Sequence, residues 1–147
     1  MPSEKYPFFK FRYPDGTLDP RGRTYLPVRI SNPRSGASLT AWGIVDTGAD
    51  ACLFPAGLAA VLGHDLKAQR VRSSVTIGIE QKPVPTYKHT FSVELLSADL
   101  ENVVWSSLNM QVDCVEPDPP VLLGVEGFLD QFRLTIDYRH EELLLNW

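Results

Sequence analysis

The sequence predicts a mainly all-β chain, folded as one domain in a sandwich or barrel with very little helix. Three observations predict it. Twelve prolines and ten glycines punctuate the chain at short, regular intervals. Between those breaks, several segments alternate apolar and polar residues with a period of two, the signature of a strand with one buried face. Only one segment carries the spacing of an amphipathic helix, and repeated short strands of this kind build sandwiches and barrels.

Taken in order, Phe9, Phe11 and Tyr13 alternate with Lys10 and Arg12, so a first strand is expected there. Pro14, Asp15 and Gly16 then read as a turn, and the polar stretch to Arg23 as a loop. Residues 1–22 are expected to form an N-terminal arm or leader, and residues 23–147 the domain. Leu26, Val28 and Ile30 mark the next strand, and the turn signal from Asn32 to Gly36 joins a strand at 25–30 to one at 39–45. After Pro55, the residues Leu58, Val61 and Leu62 fall at i, i+3 and i+4, with Gly63 placed as a C-terminal cap. Val75, Ile77 and Ile79, then Tyr87, His89, Phe91, Val93 and Leu95, predict a hairpin over 75–95. His89 shares a face with Phe91 and Val93 and reads as a partly buried, satisfied side chain. Leu108, Met110, Val112 and Cys114 give a further strand. A short helical turn is expected within 126–131. Phe132, Leu134, Ile136 and Tyr138 then alternate as a strand, which a turn at Asp137–His140 folds back onto Leu143, Leu144 and Leu145.

A chain of 147 residues fits one domain and can bury about 68–70% of its unfolded surface without a staple. A net charge of −4 argues against nucleic acid or an anionic membrane as partner. Arg21, Arg23, Arg29 and Arg34 form the one basic cluster legible in the sequence and read as a solvated face. No apolar run reaches the ~18 residues of a membrane span. Met1 to Lys5 lacks a signal-peptide pattern, so a cytoplasmic location is expected. Cys52 and Cys114 are too few for a disulfide framework and read as buried thiols. His64, His89 and His140 show no metal-ligand spacing, and no phosphate-binding glycine motif or nucleophile elbow is present. No metal and no cofactor are expected.

The strongest local signal is the run Trp42-Gly43-Ile44-Val45-Asp46-Thr47-Gly48-Ala49-Asp50. An apolar strand leads straight into a carboxylate, so burial of Asp46 is expected, at a cost if the charge is unpaired. Thr47 offers a hydroxyl to lock the loop, and Gly48 leaves space beside the carboxylate. The plainer reading is a simple turn, since Asp and Gly favour turns. Asp50 reads as structural, accepting backbone N–H bonds.

These residues resemble the active-site loop of the retropepsin family, the retroviral-type aspartic proteases. Val121-Leu122-Leu123-Gly124, followed by Gly127-Phe128-Leu129, is similar to the family's second signature, which crosses near that loop and precedes a short helix. The resemblance covers residues 23–147 in element order and is nearest to single-domain bacterial members, which end on a strand similar to 132–138. It implies a retropepsin-like acid-protease barrel or sandwich, with one short helix after the active-site loop region and another after Leu-Leu-Gly. It implies Asp46 as the catalytic residue, with Thr47, Gly48, Ala49 and Asp50 supporting the loop. Leu122, Leu123 and Gly124 supply the second motif. Ile77, Gly78, Ile79, Glu80 and Gln81 correspond to a flap that closes over substrate. Two departures stand out. Val125 occupies the place of an arginine that pairs with the aspartate at position 50 in viral members, leaving Arg133 as a candidate replacement. The flap carries one glycine and Pro83, so a stiffer flap is expected.

Aspartic proteolysis uses two carboxylates about 3 Å apart that share one proton. The sequence contains one Asp-Thr-Gly, so a complete site requires a two-fold homodimer with Asp46 from each copy. The N-terminal arm from Phe8 to Tyr13 is a candidate dimer edge. The expected activity is an aspartic endopeptidase acting on a peptide or protein substrate. The alternative is a peptide-binding or assembly module of the same fold without catalysis. Cys52, six residues beyond Asp46, is a candidate for control by thiol oxidation.

Overall fold

The computed structural model describes residues 1–77, 81–116 and 118–147. Among them the strands are β1 (Ser3–Pro7), β2 (Tyr25–Ser31), β3 (Ser38–Val45), β4 (Leu53–Pro55), β5 (Ser73–Ile77), β6 (Pro83–Leu96), β7 (Val103–Val115), β8 (Leu122–Leu123), β9 (Arg133–Asp137) and β10 (Glu142–Asn146). A short helix, α1 (Ala56–Val61), follows β4, and a 3-10 turn covers Leu129–Gln131. None of the described helices is long and apolar enough to cross a membrane.

The larger sheet runs β2-β3-β8-β4-β7-β6-β5, and β2 also pairs with β6. That last pairing closes the sheet on itself, so the long strand β6 serves two neighbours on one side. Its first half pairs with β5 and its second half, Ser92–Leu95, with β2. The period-two pattern is what lets the ring close around an apolar interior. Leu26, Val28, Ile30, Phe91, Val93, Leu95, Val112 and Cys114 are all fully buried. A second sheet, β1-β10-β9, buries Tyr6, Leu143 and Leu145. The rings of Trp105, Phe128, Phe132 and Trp147 lock it to the barrel through edge contacts of 5.0–5.7 Å. The Tyr6 hydroxyl donates to the Leu96 carbonyl at 2.7 Å and makes a second tie. As expected, Leu143–Leu145 pairs with 134–136 inside the chain.

Several expectations are corrected. The alternation at 9–13 makes no strand. Phe9 and Arg12 form only single bridges, to Arg23 and Leu18, and the true strand is Ser3–Pro7. Phe9 and Phe11 pack on one another and on Tyr25, so ring contacts replace a ladder. In α1 Ala59 is buried and Leu58 partly buried, with Leu62 buried just after the helix, while Val61 is 74% exposed. Gly63 does cap the helix, with φ +89° and its N–H bonded to Ala60. Leu108 is exposed because β7 bulges against β6 between Phe91 and Val93, with Asn109 at φ +60°, which flips the faces. Val75 and Ile77 are exposed although they alternate, because β5 is the sheet's outer strand. Tyr138 lies beyond β9, exposed, with its ring edge-on to Phe8. The turn after Leu-Leu-Gly is 3-10 and shorter than expected. The arginines do not form one cluster: Arg23 pairs with Asp19 and Arg29 with Glu94, while Arg34 faces elsewhere. His89 is buried as expected, its Nε2 3.0 Å from the Leu66 carbonyl.

Candidate active site

The strand β3 delivers Asp46 to the rim of the barrel under restraint from both sides. On one side β8 runs parallel to it, Ile44 opposite Leu122 and Val45 opposite Leu123. The Ile44 N–H donates to Val121 O at 2.9 Å and the Asp46 N–H to Leu123 O at 3.0 Å. On the other side the Val45 N–H donates to Thr24 O at 2.9 Å. The backbone is thus held up to and including Asp46, and only then does the chain turn.

The turn is built by the aspartate itself. Its Oδ1 accepts the Gly48 N–H at 3.0 Å and its carbonyl accepts the Ala49 N–H at 3.2 Å. A Cβ on Gly48 would stand 3.3 Å from that carboxylate oxygen. Glycine therefore leaves room for a reacting group beside it. Among the described residues no hydrogen bond engages the second oxygen. Asp46 is half-buried, where burial was expected, because β3 ends at the rim and the side chain stands at its mouth. Thr47 and Gly48 form the exposed tip.

The Leu-Leu-Gly segment holds the far side of the loop. Val125 N–H donates to Ala49 O at 2.9 Å and Glu126 N–H to Asp50 O at 2.7 Å. A Cβ on Gly124 would lie 2.3 Å from the Ala51 carbonyl oxygen, so the two segments cross in backbone contact that only glycine permits. Gly43 has a similar role, since a Cβ there would meet the Leu123 side chain at 2.7 Å. Leu123 is fully buried and Leu122 half-buried. The loop residues 46–50 and the second motif, distant in sequence, are thereby stitched into one unit.

Other expected site residues fall differently. The Asp50 side chain is exposed, and its backbone carbonyl, rather than its carboxylate, takes the N–H bond. Among the described residues no ion pair joins it to Arg133, which is exposed on β9 opposite Asn146. Ile77 ends β5 opposite Pro83, at the top of the expected hairpin, and Gln81 is exposed with φ +57°. Gly78, Ile79 and Glu80 lie outside the described residues. Cys52 is fully buried, its Sγ 3.4 Å from the Gly124 N–H, and burial pushes its thiol up to about 11. A buried, protonated thiol is inert, so control through oxidation of Cys52 is not supported.

Sequence reasoning missed a cavity of about 640 Å³ at the outer side of this strand end. Arg23, Thr24, Tyr25 and Ile44 line it together with Phe11 and Tyr13 from the N-terminal stretch. The aromatic residues of the N-terminal stretch were the available signal, but their fold-back onto Tyr25 depends on contacts that spacing does not encode.

No protein-family model matches the chain, and no curated protein matches it. Solved structures do. A retropepsin-like aspartic protease from Rickettsia conorii superposes with a TM-score of 0.59 at 21% identity, over 99% of this chain and 94% of that one. The EIAV protease complexed with the inhibitor HBY-793 superposes with a TM-score of 0.52 at 16% identity, over 78% of this chain and 93% of that one. The fold of the chain is retropepsin-like.

Proposed function

We propose that this retropepsin-like fold serves an aspartic endopeptidase, with Asp46 from each of two copies forming the catalytic pair. The observation that carries the proposal is the position of Asp46. Its carboxylate sits at the barrel rim with one oxygen turned to Gly48 and the other unbonded among the described residues, on a loop braced by Gly124. Thr47 and Gly48, exposed at the tip, are available to meet a second copy.

In this reading two carboxylates share one proton. The ionised one takes a proton from water as it attacks the scissile carbonyl. The protonated one polarises that carbonyl and then protonates the departing nitrogen. Thr47 of each copy braces the paired loops, the Leu-Leu-Gly segment supports them from behind, and the β5–β6 hairpin covers an extended peptide or protein substrate.

The test is incubation of the wild type and Asp46→Asn with a diverse peptide library between pH 3 and 7, read by mass spectrometry. Cleavage by the wild type alone is the expected outcome. Cleavage by both would remove Asp46 from the chemistry. Cleavage by neither, with the protein shown to be dimeric, would leave a peptide-binding or assembly role instead.

A further inference from the structure

Basic side chains that are scattered in the sequence converge on a second cavity, of about 620 Å³, which shares no lining residue with the Asp46 loop. Arg34 reaches it from the β2–β3 turn, Arg70 and Arg72 from the segment leading into β5, and Lys88 from β6. Lys88 is matched by Asp113 at 2.9 Å. Among the described residues, Arg34, Arg70 and Arg72 pair with no carboxylate, and the one acidic residue in the wall is Asp65. Three arginines that pair with no carboxylate among the described residues, all lining one concavity, are unusual on a chain whose net charge is −4.

The rest of the wall mixes neutral polar side chains with Pro33, Gly63, Ala68 and Val71. Gln111 donates to the Thr90 hydroxyl at 2.7 Å. His64 and His89 stand with ring centroids 4.7 Å apart, and His64 Nε2 is buried without a hydrogen-bond partner among the described residues. Burial, and then the neighbouring His89, hold the His64 imidazole below its ordinary value and hence neutral at pH 7. The volume lies in the small-molecule range. Planar guanidinium forks match the oxygens of phosphate, and three of them exceed what a single carboxylate would need.

We propose that this cavity binds a small anion carrying phosphate groups, held chiefly by Arg34, Arg70 and Arg72. The position has a structural consequence. The Lys88 N–H donates to Arg72 O at 2.9 Å, directly below the first β5–β6 rung, Ser73 opposite Tyr87. An anion bridging Arg34 to Arg70 and Arg72 ties the foot of the β5–β6 hairpin to the β2–β3 turn. It is expected to slow amide exchange over 71–77.

The experiment is calorimetric titration of the full chain at low salt with inorganic phosphate, pyrophosphate and ATP, with amide chemical shifts mapping the contact. One-to-one binding is expected, tighter for pyrophosphate than for phosphate and weakened by salt. Shifts are expected at 63–72 and 88–90. A nucleotide preference would appear as ATP exceeding pyrophosphate, and a free polyphosphate preference as the reverse. Either ranking supports the site. The exposed pair Arg70→Gln with Arg72→Gln should cost about tenfold or more in affinity, while Arg139→Gln, in the turn between β9 and β10, should change nothing. Absence of saturable binding to all three probes would overturn the proposal. So would equal affinity in the double variant, or shifts centred on Arg21 and Arg23.

Discussion

At the residue scale, Gly124 carries the sharpest constraint. A methyl group at that position must displace the backbone of Ala51, because the nearest atoms are carbonyl atoms and not the end of a flexible side chain. Gly124→Ala is therefore expected to lose about 3 kcal/mol, read as a lower midpoint in urea denaturation. An unchanged midpoint would mean that the crossing of the two segments is looser than described. The thiols make a second case. Cys52 and Cys114 are fully buried, and burial raises them from 9.0 to about 11 and about 12. Neither should react with a thiol reagent at pH 8 in the native state, and both should react in urea. The pH dependence has a definite sign. Below pH 9 both thiols are protonated in both states and stability does not depend on them. Between pH 9 and about 11 only the unfolded chain ionises, so stability falls as pH rises, by about 1.4 kcal/mol per pH unit for each thiol. A flat stability profile over that window would contradict the burial.

At the scale of elements, the β6–β7 pair shows how one irregularity reassigns a face. The alternation from Leu108 to Cys114 is continuous in sequence, yet Leu108 is 76% exposed and Met110 is 5% exposed. Asn109 in the left-handed region absorbs the bulge, a conformation that asparagine tolerates better than most residues. Leu108→Lys should thus shift stability by no more than about 0.5 kcal/mol. Asn109→Val should cost about 1–2 kcal/mol. Thermal or chemical denaturation of both variants checks the pair, and a large loss in Leu108→Lys would place that side chain in an interface. The hairpin expected at 75–95 was legible as a pairing, since Val75 stands opposite Pro85 and Ile77 opposite Pro83. On β6 the inner face was legible too, since His89, Phe91, Val93 and Leu95 are buried, but on β5 it was not, because alternation says that one face differs from the other and not whether anything covers it.

At the scale of the molecule, the proposed catalytic pair makes activity a property of two chains. If two copies of Asp46 are required, specific activity should rise with protein concentration and then level off as dimer saturates, in step with the dimer fraction from sedimentation. Specific activity independent of concentration across a range where the protein dissociates would exclude the shared site. The N-terminal residues bear on the same question. β1 occupies one edge of the β1-β10-β9 sheet, which leaves the outer edge of β9 unpaired among the described residues.

What the sequence determined by itself was the local material. It specified β2, β5, β6 and β7 of the closed sheet through apolar alternation, the helix stop at Gly63, and the junction of an apolar strand with Asp46-Thr47-Gly48. It also marked Leu122-Leu123-Gly124 as a partner for that junction, through resemblance and not through physics. Each of these is encoded in neighbouring residues, where periodicity and turn chemistry act directly. Only the tertiary structure decided what distant segments do to one another. It set the backbone crossing of Gly124 over Ala51, the return of Phe9 and Phe11 onto Tyr25, and the gathering of Arg34, Arg70, Arg72 and Lys88 around one cavity. Those contacts arise from closure of the sheet, and a closed sheet brings together residues that no local pattern relates.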